Sequence, residues 1–371
     1  MKRNHAIDSI RGLLLIFMAI NHFIWITGGR SAIQLFTLQP LGQVGAAEGF
    51  VFISGLMVGL IYCRPAATNV TSKLIQRAKQ LYGYHIGALI LIIVVAISIS
   101  TLWPVYPAFF QTMFPFLFRQ PELATPLTLL LIHKPAYFDI LPMYIVFMLC
   151  APIALHLLNR GKILWVIAIS TIIWLSSSWV DLSTQIAQVA PITPINTGYF
   201  NWLAWQLPFM IGLSIGYCHH HLSINWFKYR LILLLAVVAA VFIFLAHHNV
   251  FVQQFGLHQG TLYTLGNKPT LGWLRVFNLA LLIYLLNYLI MHHPRLLTFR
   301  PLAMLGRHSL QVFSWHYVVI FTLAPFAFKY ASTGPAYNLM LAMIVGLLFI
   351  PSFIIEKKKT VNDSPLTGMT K

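Results

Sequence analysis

The chain has 371 residues, of which 58% are hydrophobic and only 8% charged, and Lys and Arg outnumber Asp and Glu by 24 to 7. Soluble domains carry roughly a quarter charged residues, so a soluble fold is excluded; repeated apolar runs of about twenty residues mark an integral membrane protein. The formal charge of +17 is scattered over short loops rather than gathered on one face, which excludes a nucleic-acid platform.

Apolar runs predict ten helical spans, at 7–27, 45–63, 79–102, 138–158, 162–179, 200–219, 230–247, 271–291, 308–330 and 336–355. The fold class is therefore an all-α polytopic helical bundle, expected to form a single membrane domain over residues 1–356. Lys2 and Arg3 before an apolar run mimic a signal peptide, yet Arg11 interrupts the run and no small-residue cleavage site follows, so the segment is expected to stay as the first span. Residues 357–371 read as a polar tail without fixed structure.

Basic residues set the orientation. With the N-terminus in the cytoplasm, the inner loops and tails hold seventeen Lys and Arg residues, among them Arg64, Lys73, Arg77, Arg160, Lys162, Arg300 and Arg307. The outer side holds only Arg30, Arg119, Lys134, Lys268, Arg275 and Lys329, so both termini are expected in the cytoplasm. Two outer connections, 103–126 and 181–201, are rich in proline and are expected to cap an outward cavity or to re-enter the protein. No internal repeat is evident, which counts against a transporter built from duplicated halves.

Polar residues inside the spans carry the functional argument. In the first span, Arg11 and His22 are eleven residues apart, three helical turns, which brings them within ~20° of one face and roughly 16 Å apart along the axis. Asp8 stands one turn before Arg11, in position to neutralise it. His22 lies some five residues from the outer end of its span, beyond easy reach of the cytoplasmic headgroups, and needs a polar partner; ionisable groups at such depth usually face a cavity or pathway. In the second span Glu48 falls at matching depth, and a carboxylate beside an imidazole is the usual wiring of a general base. Gly45, Gly49, Gly55 and Gly59 make that span small-sided and able to pack closely.

Asp139, Asn201, Trp205, Gln206 and Arg275 all fall within about two turns of the outer ends of their spans, as a wet acceptor pocket would require; the tryptophans equally suit an interfacial belt. On the inner side Lys73, Arg77, Arg300, Arg307 and His308 gather with Arg11, a seat for a phosphorylated ligand. Other patterns are set aside. "GLSIG" at 212–216 lies within a span and lacks the strand-turn-helix setting of an exposed serine nucleophile. His219, His220 and His221 are consecutive and cannot converge on one metal from a helix, so no metal site is expected. Cys63, Cys150 and Cys218 have no ligand or disulfide spacing. His316, mid-span in "FSWHY", is a secondary candidate for a functional histidine.

The stretches "IDSIRGLLLIFMAINH", "GAAEGFVFISGLMVGLIY", "FDILPMYIVFMLCAPI", "FNWLAWQLPFMIGLSIGY" and "LGRHSLQVFSWH" together resemble the OpgC family of osmoregulated periplasmic glucan succinyltransferases, within the broader superfamily of transmembrane acyltransferases. Arg11 and His22 look like that superfamily's Arg-x10-His signature, in which the histidine is catalytic and the arginine assists donor binding. The resemblance implies a multi-pass protein of the bacterial inner membrane. It would transfer a succinyl group from cytoplasmic succinyl-CoA, a co-substrate rather than a bound cofactor, to hydroxyls of periplasmic glucans. His22 and Glu48 would be catalytic; Asp8, Arg11, Arg77, Arg307 and His308 would bind the donor; Asp139, Trp205, Gln206 and Arg275 would bind the acceptor, with Trp205 or Gln206 as oxyanion donors. The sparse charge on the acceptor side leaves room for another surface polysaccharide or a lipid-linked sugar, and for acetyl in place of succinyl. A transporter or flippase of an anionic lipid or sugar, using Arg11 and Arg275, is the competing class, and a catalytically silent scaffold a third.

Overall fold

The computed structural model describes residues 4–363 apart from 181–184, 186–194, 251–253, 255, 257 and 331. Among these residues there are helices and no strand. The long helices are α1 (His5–Thr27), α2 (Ala46–Tyr62), α3 (Val70–Leu102), α4 (Ile140–Asn159), α5 (Ile163–Ser176), α6 (Trp202–His221), α7 (Arg230–His247), α8 (Trp273–His292), α9 (Ser309–Tyr330), α10 (Gly334–Leu347) and α11 (Ile350–Asp363). Each of the ten expected segments overlaps a helix among the described residues, the last of them running through both α10 and α11. Seven segments are long and apolar enough to cross a bilayer, whereas α2 and α5 are shorter apolar helices.

Local chemistry sets the ends of α1. The Asn4 side chain accepts from the backbone N–H groups of Ala6 and Ile7 at 3.0 and 3.3 Å, satisfying donors that the first turn leaves without partners. The helix stops at Gly28, whose φ of 64° is a left-handed conformation suited to glycine. The connection from 103 is folded into three short helices, Pro107–Met113, Pro115–Arg119 and Pro121–Leu129, each with proline in its first turn. Most of the connection expected at 181–201 lies outside the described residues.

Two close crossings position the site. α2 and α6 meet backbone to backbone: a Cβ on Gly55 would sit 2.0 Å from the Phe209 carbonyl oxygen, and one on Gly212 2.2 Å from that of Phe52. This is the small-residue packing that lipid, giving no hydrophobic drive between helices, favours. α1 meets the short helix Arg300–Arg307 in the same way, Gly306 lying against the Asp8 carbonyl. That contact sets the N-terminal end of α1 beside the start of α9. Only 17% of the most apolar window of α7 is buried against 72% for α9, so α7 lies at the lipid-facing edge and α9 in the core.

One expectation is corrected here. The polar segment from 357 does not lose structure where the hydrophobic run ends, because α11 continues as helix to Asp363. Glu356 within it accepts from Arg307 Nε at 3.0 Å, tying the helix back to the bundle. Residues 364–371 lie outside the described residues.

Candidate active site

At the end of the bundle that carries the N-terminus, a cavity of about 930 Å³ opens between α1, α2, α3, α4 and α9. Arg11, Arg64, Lys73 and Arg77 line it with Gln76 and Gln80, and Asp8 is the acid among them. Such a concentration of cations at a low-dielectric mouth attracts and holds anions. Arg11 donates from Nη2 to Ser309 Oγ at 2.5 Å, which fixes its guanidinium between α1 and α9. Deeper in, Phe50 stacks on Phe313 at 5.7 Å and lies 6.0 Å from Tyr144. These three rings line the same cavity and close its depth with an apolar layer.

Phe313 connects that layer to a histidine pair. His316 Nδ1 is hydrogen-bonded to the Phe313 carbonyl oxygen, and His22 Nδ1 lies 3.2 Å from His316 Nε2. A carbonyl only accepts, so His316 must donate from Nδ1 and accept at Nε2. His22 then donates from Nδ1, and among the described residues its Nε2 lone pair has no hydrogen-bond partner. The network thus assigns both tautomers. His316 is buried, whereas His22 is partly open. The His22 ring is bounded by Tyr137 at 5.2 Å, Trp25 at 6.2 Å and Tyr317 at 6.4 Å. Tyr317 donates its hydroxyl to the Tyr137 carbonyl at 2.7 Å, holding Tyr137 at a φ of 69°. Non-glycine residues rarely adopt that conformation, and it concentrates at functional sites.

The expected partner of His22 is corrected. Glu48 is fully buried, accepts from Arg275 Nη1 at 2.6 Å and from the Gly45 backbone N–H at 3.1 Å. Arg275 also donates from Nε to the Gly266 carbonyl at 2.8 Å and from Nη1 to that of Gln43. The pair is a brace between α2, α8 and two loops, and its hydrogen bonds are spent there; the orienting position beside His22 belongs to His316. Arg275 is likewise structural rather than open to an acceptor.

Trp205 and Gln206 are also corrected. Trp205 is completely buried and donates from Nε1 to the Lys268 and Pro269 carbonyls, both at 3.1 Å. Gln206 accepts from Ser170 Oγ at 2.7 Å and donates to the Ser170 and Leu203 carbonyls. Neither retains a donor for an oxyanion. Asp139 accepts from the Tyr199 backbone N–H at 2.9 Å and, buried, stays within electrostatic reach of Lys134 and Lys268. Arg307 and His308 both engage Glu356, His308 at 3.5 Å, and do not line the cavity. Of the expected donor set, Asp8, Arg11 and Arg77 are brought together.

His220 and His221 bond the Leu60 and Cys63 carbonyls, each at 2.8 Å, and so cap the end of α2. Sequence reasoning missed Lys268. Its ammonium lies 5.4 Å over the Trp25 ring and 6.0 Å over that of Phe200, and its charge acts on His22. Only its count as an outer cation signalled it.

Fold and site define a polytopic membrane protein in which a cation-lined cavity reaches Phe313, whose carbonyl bonds a histidine pair. The chain belongs to the family of OpgC proteins, which it matches over residues 3–360, and this membership implies a membrane acyltransferase acting on glucans. Searches of curated proteins and of solved structures give no match.

Proposed function

We propose that this chain moves a succinyl-class acyl group from cytoplasmic acyl-CoA to hydroxyls of glucans on the periplasmic side of the bacterial inner membrane, as a multi-pass protein with ten spans and both termini in the cytoplasm. The observation that carries the reading is the Nε2 of His22, without a hydrogen-bond partner among the described residues and three turns along α1 from Arg11 in the basic cavity. The CoA phosphates sit among Arg11, Lys73 and Arg77, and the pantetheine arm runs along the apolar depth of the cavity toward Phe313. His22 Nε2 takes the proton of a glucan hydroxyl as its oxygen attacks the thioester carbonyl carbon. The C–S bond breaks, the new C–O ester forms, and the proton passes from the imidazolium to the thiolate, leaving free CoA.

His316 acts as a positioning residue. By accepting a hydrogen bond from the Nδ1–H of His22 it holds the tautomer that leaves Nε2 basic, the part Glu48 was expected to play. The transporter reading loses one of its two charges, since Arg275 is held by Glu48 and two carbonyls. The test is sided. Protein is reconstituted in vesicles with cytoplasmic faces inward, acyl-CoA is trapped in the lumen and β-glucan is supplied outside. Acyl ester on external glucan, with thiol released inside, supports the reading; intact donor or glucan appearing in the opposite compartment without ester overturns it.

A further inference from the structure

The charges around His22 do not cancel. Glu48 is matched by Arg275, and Asp139 by the nearby Lys134. Lys268 remains without a direct ion pair: among the described residues its ammonium makes no hydrogen bond, lies over the faces of Trp25 and Phe200, and feels Glu48 and Asp139 only at a distance. It is half-buried, and burial pushes it below the ordinary lysine range. An ammonium in such a setting gains by meeting an anion.

Its position is built rather than incidental. The Lys268 and Pro269 carbonyls receive Trp205 Nε1, the Pro269 carbonyl also receives the Asn201 N–H at 3.0 Å, and the Leu271 carbonyl receives Trp174 Nε1 at 2.8 Å. Two helices, α5 and α6, thus pin the backbone that carries this lysine. Trp25 is the shared neighbour, in ring contact with His22 on one side and with the Lys268 ammonium on the other. A short acyl chain whose thioester carbonyl stands at His22 therefore meets a cation with its far end.

Building on the acyl-transfer reading above, we propose that Lys268 binds the free carboxylate of a dicarboxylic acyl group and so selects succinyl-class donors over neutral ones such as acetyl. Lys268 takes part in no bond change; it is a specificity residue.

The experiment compares succinyl-CoA and acetyl-CoA as donors to β-glucan with the purified full chain, for wild type, Lys268→Met, Lys268→Gln and Lys268→Arg. Losing a charge-assisted hydrogen bond lowers kcat/KM for succinyl-CoA by about 10- to 100-fold, chiefly through KM. Acetyl-CoA changes little, and Lys268→Arg restores most of the succinyl preference. Lys268→Gln, which keeps polarity and size, guards against a folding defect in Lys268→Met. Equal loss toward both donors, or no change toward either, overturns the assignment while the transferase reading stands. Wild-type protein inactive with both donors overturns both.

Discussion

His22 Nδ1 and His316 Nε2 face each other at 3.2 Å, from helices 294 residues apart in sequence. Because His316 Nδ1 is committed to the Phe313 carbonyl, this contact allows one direction of donation. Replacing His316 by Phe removes the acceptor and frees His22 to sample the other tautomer; kcat falls about 100-fold, within the range of general-base contributions, with KM for the donor unchanged. Gln at 316 offers a carbonyl oxygen and recovers part of the rate. Steady-state thiol release for the two variants checks this. Equal rates for His316→Phe and wild type would remove His316 from the mechanism.

The Glu48–Arg275 pair is expected to act on stability. Both side chains are buried, at 0% and 4% exposure, and stranding one charge costs about 3–5 kcal/mol. Glu48→Gln and Arg275→Met should each unfold at lower temperature in detergent, and the double variant should be less destabilised than the sum of the two. Additive losses would mean that the pair is not coupled.

The cavity cations separate from Arg307, which is paired elsewhere. Arg77→Gln removes a phosphate contact and should raise KM for acyl-CoA about tenfold, more at low salt than at high. Arg307→Gln breaks a partly exposed pair with Glu356. Such pairs are worth about 1 kcal/mol or less, so KM is unchanged. Donor titration at two ionic strengths distinguishes the two variants, and a KM rise in Arg307→Gln would return that residue to the donor site.

How far these contacts were legible follows from the range over which they act. Helix positions were readable because apolar run length answers to bilayer thickness, and the stripe of Arg11 and His22 because helical period is local. The Gly55 and Gly59 face of α2 was readable for the same reason; its partner Gly212 was not. Pairing is a tertiary matter. Glu48 matched His22 in depth along its own helix, yet rotation about the helix axis and the arrival of Arg275 from α8 sent it elsewhere. Trp205 and Gln206 have the residue types of a sugar platform, and nothing local says that Ser170 and the Lys268 carbonyl consume their hydrogen bonds. The polar run after Glu356 signalled the end of the membrane but not the helix that Arg307 anchors.

Acid should loosen the contact between His133 and the Asn196 backbone. Burial, aided by Lys134, lowers the His133 pKa from 6.5 to about 4, and Nδ1 accepts the Asn196 N–H at 3.0 Å, which requires the unprotonated nitrogen. Between these values the unfolded chain binds a proton that the folded chain refuses. The contribution is therefore fully present above pH 6.5 and is lost as pH falls toward 4. Thermal unfolding at pH 7 and pH 5 should show a larger drop for wild type than for His133→Asn; equal drops would contradict the linkage.

The most direct measurement on the histidine pair is ester formation by His22→Ala. With acyl-CoA and β-glucan, the wild-type chain should yield acylated glucan and free thiol in equal amounts. His22→Ala, eluting as a monodisperse protein and still binding CoA through the Arg11 cavity, should yield neither. Acylated glucan from that variant at near wild-type rate would show that the proton leaves by another route, and the account of this site would fall.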